Sequence, residues 1–247
     1  MTSLDEYGTK YKHLRMTRTD GVLEVVLHSD GGSLIWGAGP HRELPQAFLD
    51  IGADPENQVV ILTGTGTDFC GERDSSTADA RRTSRGWYNI YWEGKRLLEN
   101  LLNIEIPIVA AVNGPVGYHA ELPVMSDIVL ASDTAVFQDK AHFVVDIVPA
   151  DGAHIIWQLL IGPNRARHFL LTGHEIPAQE AKELGVVAEV VKGDRLLERA
   201  REIAAELKKR SPLTLRYSRI ALTQRMKRHV LGELGYGLSI EGLALLD

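Results

Sequence analysis

The sequence predicts one α/β core, and two observations carry that expectation. Short runs rich in β-branched residues alternate with stretches whose apolar side chains recur at helical spacing, the pattern of helices layered on a sheet. The chain has 247 residues, 44% hydrophobic and 24% charged, enough to bury one substantial core and too apolar for a disordered segment. We divide it into a core over residues 1–192 and a helical extension over 193–247, expected to serve in oligomerisation and as an active-site lid.

The strand candidates in chain order are Val22 to Leu27, Val59 to Thr63, Ile106 to Val112, Ile128 to Ala131 and Val186 to Val191. Helical periodicity is clearest at Trp87 to Leu102, where Ile90, Trp92, Leu97, Leu98, Leu101 and Leu102 form one flank and Glu93, Lys95, Arg96 and Glu99 the other. Pro177 to Gly185 reads as a short helix with proline at its first turn and glycine at its end. Beyond Val191, Asp194 to Lys209 is a charged amphipathic helix, Ser211-Pro212 starts another, and Val230 to Leu246 is an apolar-rich final one.

Composition removes several functional classes. The net charge of −6 disfavours a nucleic-acid binder. The densest basic run, Arg216 to Arg228, has Leu222 and Met226 at helical spacing and reads as a solvated helix face. Cys70 is the single cysteine, so no intrachain disulfide or cysteine-rich zinc site can form, which suits a reducing compartment. The polar stretch Met1 to Lys12 has no signal-peptide character, and no apolar run approaches the ~20 residues that cross a membrane. A cytoplasmic protein is expected.

Candidate chemistry concentrates between Ile104 and Asp151. Ile106 to Pro115 is a buried-strand pattern ending in an Asn-Gly-Pro turn, the kind of place where α/β enzymes hold ligands. His119 follows within Gly117-Tyr-His-Ala-Glu, and His142, Asp146, Asp151 and His154 stand in the mostly apolar run from Phe137 to His154. A carboxylate on the second nitrogen of an imidazole fixes its tautomer and strengthens it as a base, so His142 with Asp151 is a candidate catalytic pair. Asp151 also sits in a Pro-Ala-Asp-Gly turn, where capping the helix from Gly152 is the alternative reading. The histidines lack the spacing of metal ligands, so no metal is expected. The Thr63-Gly-Thr-Gly66 stretch completes neither a Walker pattern nor a dinucleotide fingerprint.

Several stretches together resemble the crotonase (enoyl-CoA hydratase/isomerase) superfamily: Val59 to Gly66 with Asp68-Phe-Cys70, Ile106 to Gly114, Glu121 to Asp133, Ile147-Val-Pro149, Leu170 to Gly173 and Ala178 to Val191. The resemblance implies a spiral of strand–strand–helix turns with a helical carboxyl-terminal region, assembled as a trimer or a dimer of trimers. It also implies two backbone N–H donors for a thioester enolate, one from a Gly-Gly-Gly run. Here that run reads Gly117-Tyr118-His119-Ala120, and the other donor segment reads Gly71-Glu72-Arg73-Asp74. A tyrosine and an imidazole do not leave the same open cradle.

This altered pattern is similar to the branch containing 6-oxocamphor hydrolase and related β-diketone hydrolases, with further matches at Ser33 to Trp36, Glu93-Gly94, Phe137 to Asp139, Pro149 to His154 and Glu241. The similarity implies that His119 binds a substrate carbonyl, that His142 and Asp151 activate water, and that Glu241 from the last helix assists. It implies an aromatic wall at Trp36, with Tyr118 and Trp87 as further substrate contacts. The expected reaction is hydrolysis of a carbon–carbon bond in a small cyclic 1,3-diketone, which needs no organic cofactor. An acyl-CoA hydratase, isomerase or thioesterase is the alternative, and a non-catalytic crotonase-like subunit the alternative from another class. Residues 75–90 are expected to cover the pocket.

Overall fold

The computed structural model describes residues 2–76 and 82–246. Its main sheet has six strands in the spatial order β1 (Leu14–Thr19), β2 (Val22–Leu27), β4 (Val59–Thr63), β6 (Ile108–Val112), β7 (Ile128–Ser132) and β10 (Glu189–Val191). The first pair is an antiparallel hairpin, and every later neighbour is parallel. Two short sheets flank it: β3 (Ile35–Trp36) runs parallel to β5 (Glu72–Arg73), and β8 (Val136–Phe137) antiparallel to β9 (Ile176–Pro177).

Strands β4 and β6 are buried on both faces because helices cover both sides of the sheet. Val60, Leu62, Ile108, Ala110 and Val112 enter the larger core with α2 (Ala38–Ala53), α3 (Ser84–Asn103) and α5 (Ala153–Ile161). Their neighbours Val59, Ile61, Val109 and Ala111 face α8 (Gly193–Leu207), which presents Leu196, Ala200 and Ala204. The period of two along each strand thus feeds two cores. The remaining helices are α1 (Leu4–Tyr7), α4 (Glu121–Val124), α6 (Pro163–Thr172), α7 (Ala178–Glu183) and α9 (Pro212–Leu245). Among the described residues, no helix is long and apolar enough to cross a membrane.

Three differences from the sequence expectation have clear causes. β1 was not among the expected strands, although Leu14 and Met16 alternate with outward Arg15 and Thr17 and the Asp20-Gly21 turn carries positive φ at both residues. Helix α3 begins at Ser84 rather than Trp87, with Thr83 Oγ accepting the Gly86 N–H at 3.0 Å, so the segment from Ser84 to Ile90 is helix; residues 77–81 lie outside the described residues. The two helices expected after Ser211 are one continuous helix, α9.

Arg219 anchors that long helix and departs from the solvated face expected of the basic run. Its guanidinium is buried, 2.6 Å from Asp127 Oδ2, and donates to the carbonyls of Leu102 and Ile104 at the end of α3. From there α9 packs along α3, and its far end meets Trp87 near the start of α3.

Candidate active site

A cavity of about 270 Å³ lies between the start of α2, the first turns of α3, the loop from Tyr118 to His119, the segment from Ala141 to Asp151 and the end of α9. All seven candidate residues line it: Trp36, Trp87, Tyr118, His119, His142, Asp151 and Glu241. They come from segments separated by up to 205 positions (241 − 36), and the fold alone assembles them.

His119 adopts φ +50°, a left-handed conformation that favours glycine and costs a larger residue roughly 1–2 kcal/mol. Its Nδ1 lies 2.5 Å from Glu121 Oε1 and 3.6 Å from Asp151 Oδ2. Burial opposes a charged His119, but Glu121 and Asp151 outweigh it and raise its pKa; burial first, and Asp151 after it, raise the pKa of Glu121 too. The pair therefore retains the proton between them, and Nε2 keeps its own hydrogen as a donor. Trp36 fixes the ring's plane, its centroid 4.1 Å away. The Tyr118 N–H turns back onto the Cys70 carbonyl at 3.3 Å. Burial, with Glu121's charge, pushes the Cys70 thiol up to about 12, so it is no nucleophile.

His142 is held at both nitrogens. Nδ1 lies 2.8 Å from Asp139 Oδ1, and Nε2 lies 3.3 Å from Asp151 Oδ2 and 3.9 Å from Glu241 Oε1. This corrects the expectation that Asp151 holds the far nitrogen of the imidazole: Asp139, three residues earlier, meets Nδ1, and Asp151 faces Nε2 on the cavity side. Burial disfavours the imidazolium, yet Asp151 and Asp139 outweigh it and raise the His142 pKa well above the ordinary value. For Asp151 burial would raise the pKa, but His142 and His119 hold it far below the usual carboxylate range. The nearby Ala153 N–H also favours the charged form of Asp151, although α5 starts after Gly152 without a side-chain cap hydrogen bond. Its buried Oδ1 has no hydrogen-bond partner among the described residues.

Trp87 donates its indole N–H to the Leu238 carbonyl at 3.0 Å, tying α3 to α9 one turn before Glu241. The approach is close because of two glycines. A Cβ at Gly242 would lie 2.1 Å from Trp87 Nε1, and one at Gly237 would lie 2.3 Å from the Ala150 carbonyl.

Sequence reasoning missed Asp139 and Glu121 as site residues, though both lie in stretches that carried the resemblance. It also missed His41, whose Nδ1 is 2.9 Å from Glu93 Oε2 and whose ring meets Trp36 edge-on at 5.9 Å. The signal was the Glu93 match, but His41 lies in α2, a helix that went unread. His154 does not line the cavity, and burial lowers its pKa.

Donor atoms of His119, Glu121 and Asp151 all lie within 4.8 Å of one another, a set that could hold a cation. The chain spacing gave no hint of it, because the fold supplies the third member. At 2.5 Å, however, His119 Nδ1 and Glu121 Oε1 are at hydrogen-bonding distance, sharing a proton that a metal would have to displace.

The profile of the enoyl-CoA hydratase/isomerase family matches residues 38–234. The chain belongs to this family, within the crotonase superfamily. Its fold superposes on a β-diketone hydrolase from the cyanobacterium Anabaena sp. PCC 7120, a structure bound to (S)-3-oxocyclohexyl acetic acid, with TM-score 0.96 and 48% identity over 98% of this chain and 97% of that one. A crotonase-fold enoyl-CoA hydratase/isomerase from Mycobacterium paratuberculosis is 26% identical, with TM-score 0.89 over 96% and 94% of the two chains. The carnitinyl-CoA dehydratase of Shigella flexneri is 29% identical over 205 residues, 82% of this chain and 77% of that protein. The chain is thus a member of the crotonase superfamily with two kinds of relative, a β-diketone hydrolase and acyl-CoA enzymes.

Proposed function

We propose that this enzyme hydrolyses a carbon–carbon bond of a small, cyclic 1,3-diketone by a retro-Claisen reaction, giving a keto acid. One observation carries the reading: His119 occupies the left-handed backbone position of the oxyanion segment and lines the cavity, while the neighbouring Tyr118 N–H is bound to Cys70. A side-chain donor has replaced the backbone cradle of a thioester enzyme. The likeness to a β-diketone hydrolase supports the same reading.

Neutral His142, its Nδ1–H donated to Asp139, accepts a proton from water at Nε2. Asp151 strengthens that base by its charge, and its Oδ1 accepts a hydrogen bond from the water's other O–H, which stays on the attacking oxygen. The hydroxide oxygen adds to one ketone carbon, and His119 Nε2–H donates to the oxyanion. Collapse breaks the bond to the carbon between the carbonyls, the electron pair moving onto the second ketone as an enolate. The His142 imidazolium returns its proton to that carbon. The carboxylic acid then ionises, and Glu241, 3.9 Å from Nε2, carries protons to or from it in this reading. General-base assistance of this kind contributes roughly 10²–10⁴-fold.

Incubation with a panel of cyclic 1,3-diketones and crotonyl-CoA, followed by loss of each chromophore, tests the reading. Diketone cleavage without crotonyl-CoA turnover supports it, and the reverse result rejects it. We further infer a homotrimer or dimer of trimers, from family likeness and the exposed Leu231, Tyr236 and Leu243 along α9. A monomer in sedimentation at micromolar concentration would refute this assembly.

A further inference from the structure

A second cavity of about 270 Å³ adjoins the reaction cavity and shares Arg73, Tyr118 and Ile147 with it as a common wall. Its described lining includes three cations, Arg73, Arg82 and Lys140, and no acidic side chain. None of the three makes an ion pair among the described residues. In a chain of net charge −6 this is a local inversion of sign.

The neighbouring cavity is of mixed sign: Glu93, Asp151 and Glu241 line it beside Arg42 and the shared Arg73, and its acidic groups gather at the histidines, where Glu121 and Asp139 stand behind the two rings. A carboxylate formed beside Asp151 and Glu241 is repelled by them, while the cations at and beyond the shared wall attract it. The Lys140 stem is fixed for this: a Cβ at Gly117 would lie 2.7 Å from Lys140 Cδ, and the Lys140 N–H donates to the Gly117 carbonyl at 2.9 Å. Arg73 pairs in register with Trp36, which places it at the boundary of both cavities.

We propose that this cationic compartment is the subsite for the carboxylate of the keto acid product, drawing the new anion away from the carboxylates that surround the reacting carbon. The assignment rests on the diketone hydrolase reading and names where its product goes. Arginine and lysine supply only donors, and the Tyr118 hydroxyl can add another, so the site suits an anion and not a neutral ketone.

Calorimetric titration of the purified enzyme with 3-oxocyclohexyl acetic acid, its methyl ester and coenzyme A tests it. Wild type should prefer the acid. Arg73→Met and Lys140→Met should each weaken the acid roughly tenfold, the size of one charged hydrogen bond, with the ester unchanged. Lys140→Met keeps the alkyl stem over Gly117, and Lys140→Arg should restore acid binding. Diketone cleavage with an undiminished preference for acid over ester in both Met variants would overturn this inference alone. So would coenzyme A binding that these variants abolish while acid binding persists. Absence of diketone cleavage together with absence of acid and ester binding would overturn the underlying reading, and this proposal with it.

Discussion

Asp139 Oδ1 and His142 Nδ1 lie 2.8 Å apart, three residues along the chain and both buried, and this contact leaves Nε2 turned toward Asp151 and Glu241. The imidazole is therefore ringed by carboxylates, which favour its conjugate acid and raise its pKa.

The first prediction concerns pH. Because the His142 pKa is raised above the ordinary histidine value, the basic form appears only as pH climbs through that raised value. The rate constant kcat/KM for a diketone should rise across this limb and fall again where the proton shared by His119 and Glu121 is lost. Asp139→Asn removes one of the charges that raise the pKa, so the acidic limb should move to lower pH while kcat drops roughly 10²–10⁴-fold. An unmoved limb would show that Asp139 is structural only. In stability the sign is reversed: the imidazolium's ion pairs contribute fully below the unfolded histidine pKa and are lost as pH rises through the folded one.

Asp151→Asn should lower kcat roughly 10²–10⁴-fold with the fold retained, because the charge beside His142 Nε2 disappears. The alternative reading makes Asp151 a cap for α5, which begins two residues on. A variant that keeps full activity and loses only about 1 kcal/mol in thermal or urea unfolding would reduce it to a helix cap.

Activity should survive prolonged dialysis against a chelator. The donors of His119, Glu121 and Asp151 are close enough to hold a cation, so the result is informative. Loss of turnover with recovery on one added divalent ion would replace the shared proton between His119 and Glu121 with a metal.

Much of this site was legible before the fold because its residues sit in recognisable segments: Tyr118-His119 stands in the oxyanion run, and Asp151 precedes Gly152 in a turn. What the sequence hid was the pairing. His142 has carboxylates at three and nine positions' distance, Asp139 and Asp151, and nothing in spacing says which nitrogen each will meet. That depends on the 3₁₀ turn Phe143–Val145 and on Asp146 at φ +62°, local geometry that periodicity does not encode. α2 was hidden differently: Gly39, Pro40 and Pro45 interrupt a segment whose buried Leu44, Ala47, Phe48 and Ile51 still keep helical spacing. Arg219 was concealed by its charged neighbours, since only tertiary contact distinguishes a buried arginine from a solvated one.

The most direct test of the retro-Claisen reading is turnover of a cyclic 1,3-diketone in ¹⁸O-labelled water, with the product identified by mass spectrometry. The account predicts a ring-opened keto acid whose new carboxylate carries one solvent oxygen, with formation strongly reduced in His119→Ala and no hydration of crotonyl-CoA by either protein. Efficient hydration of crotonyl-CoA by the wild-type enzyme, with every diketone recovered intact, would contradict it.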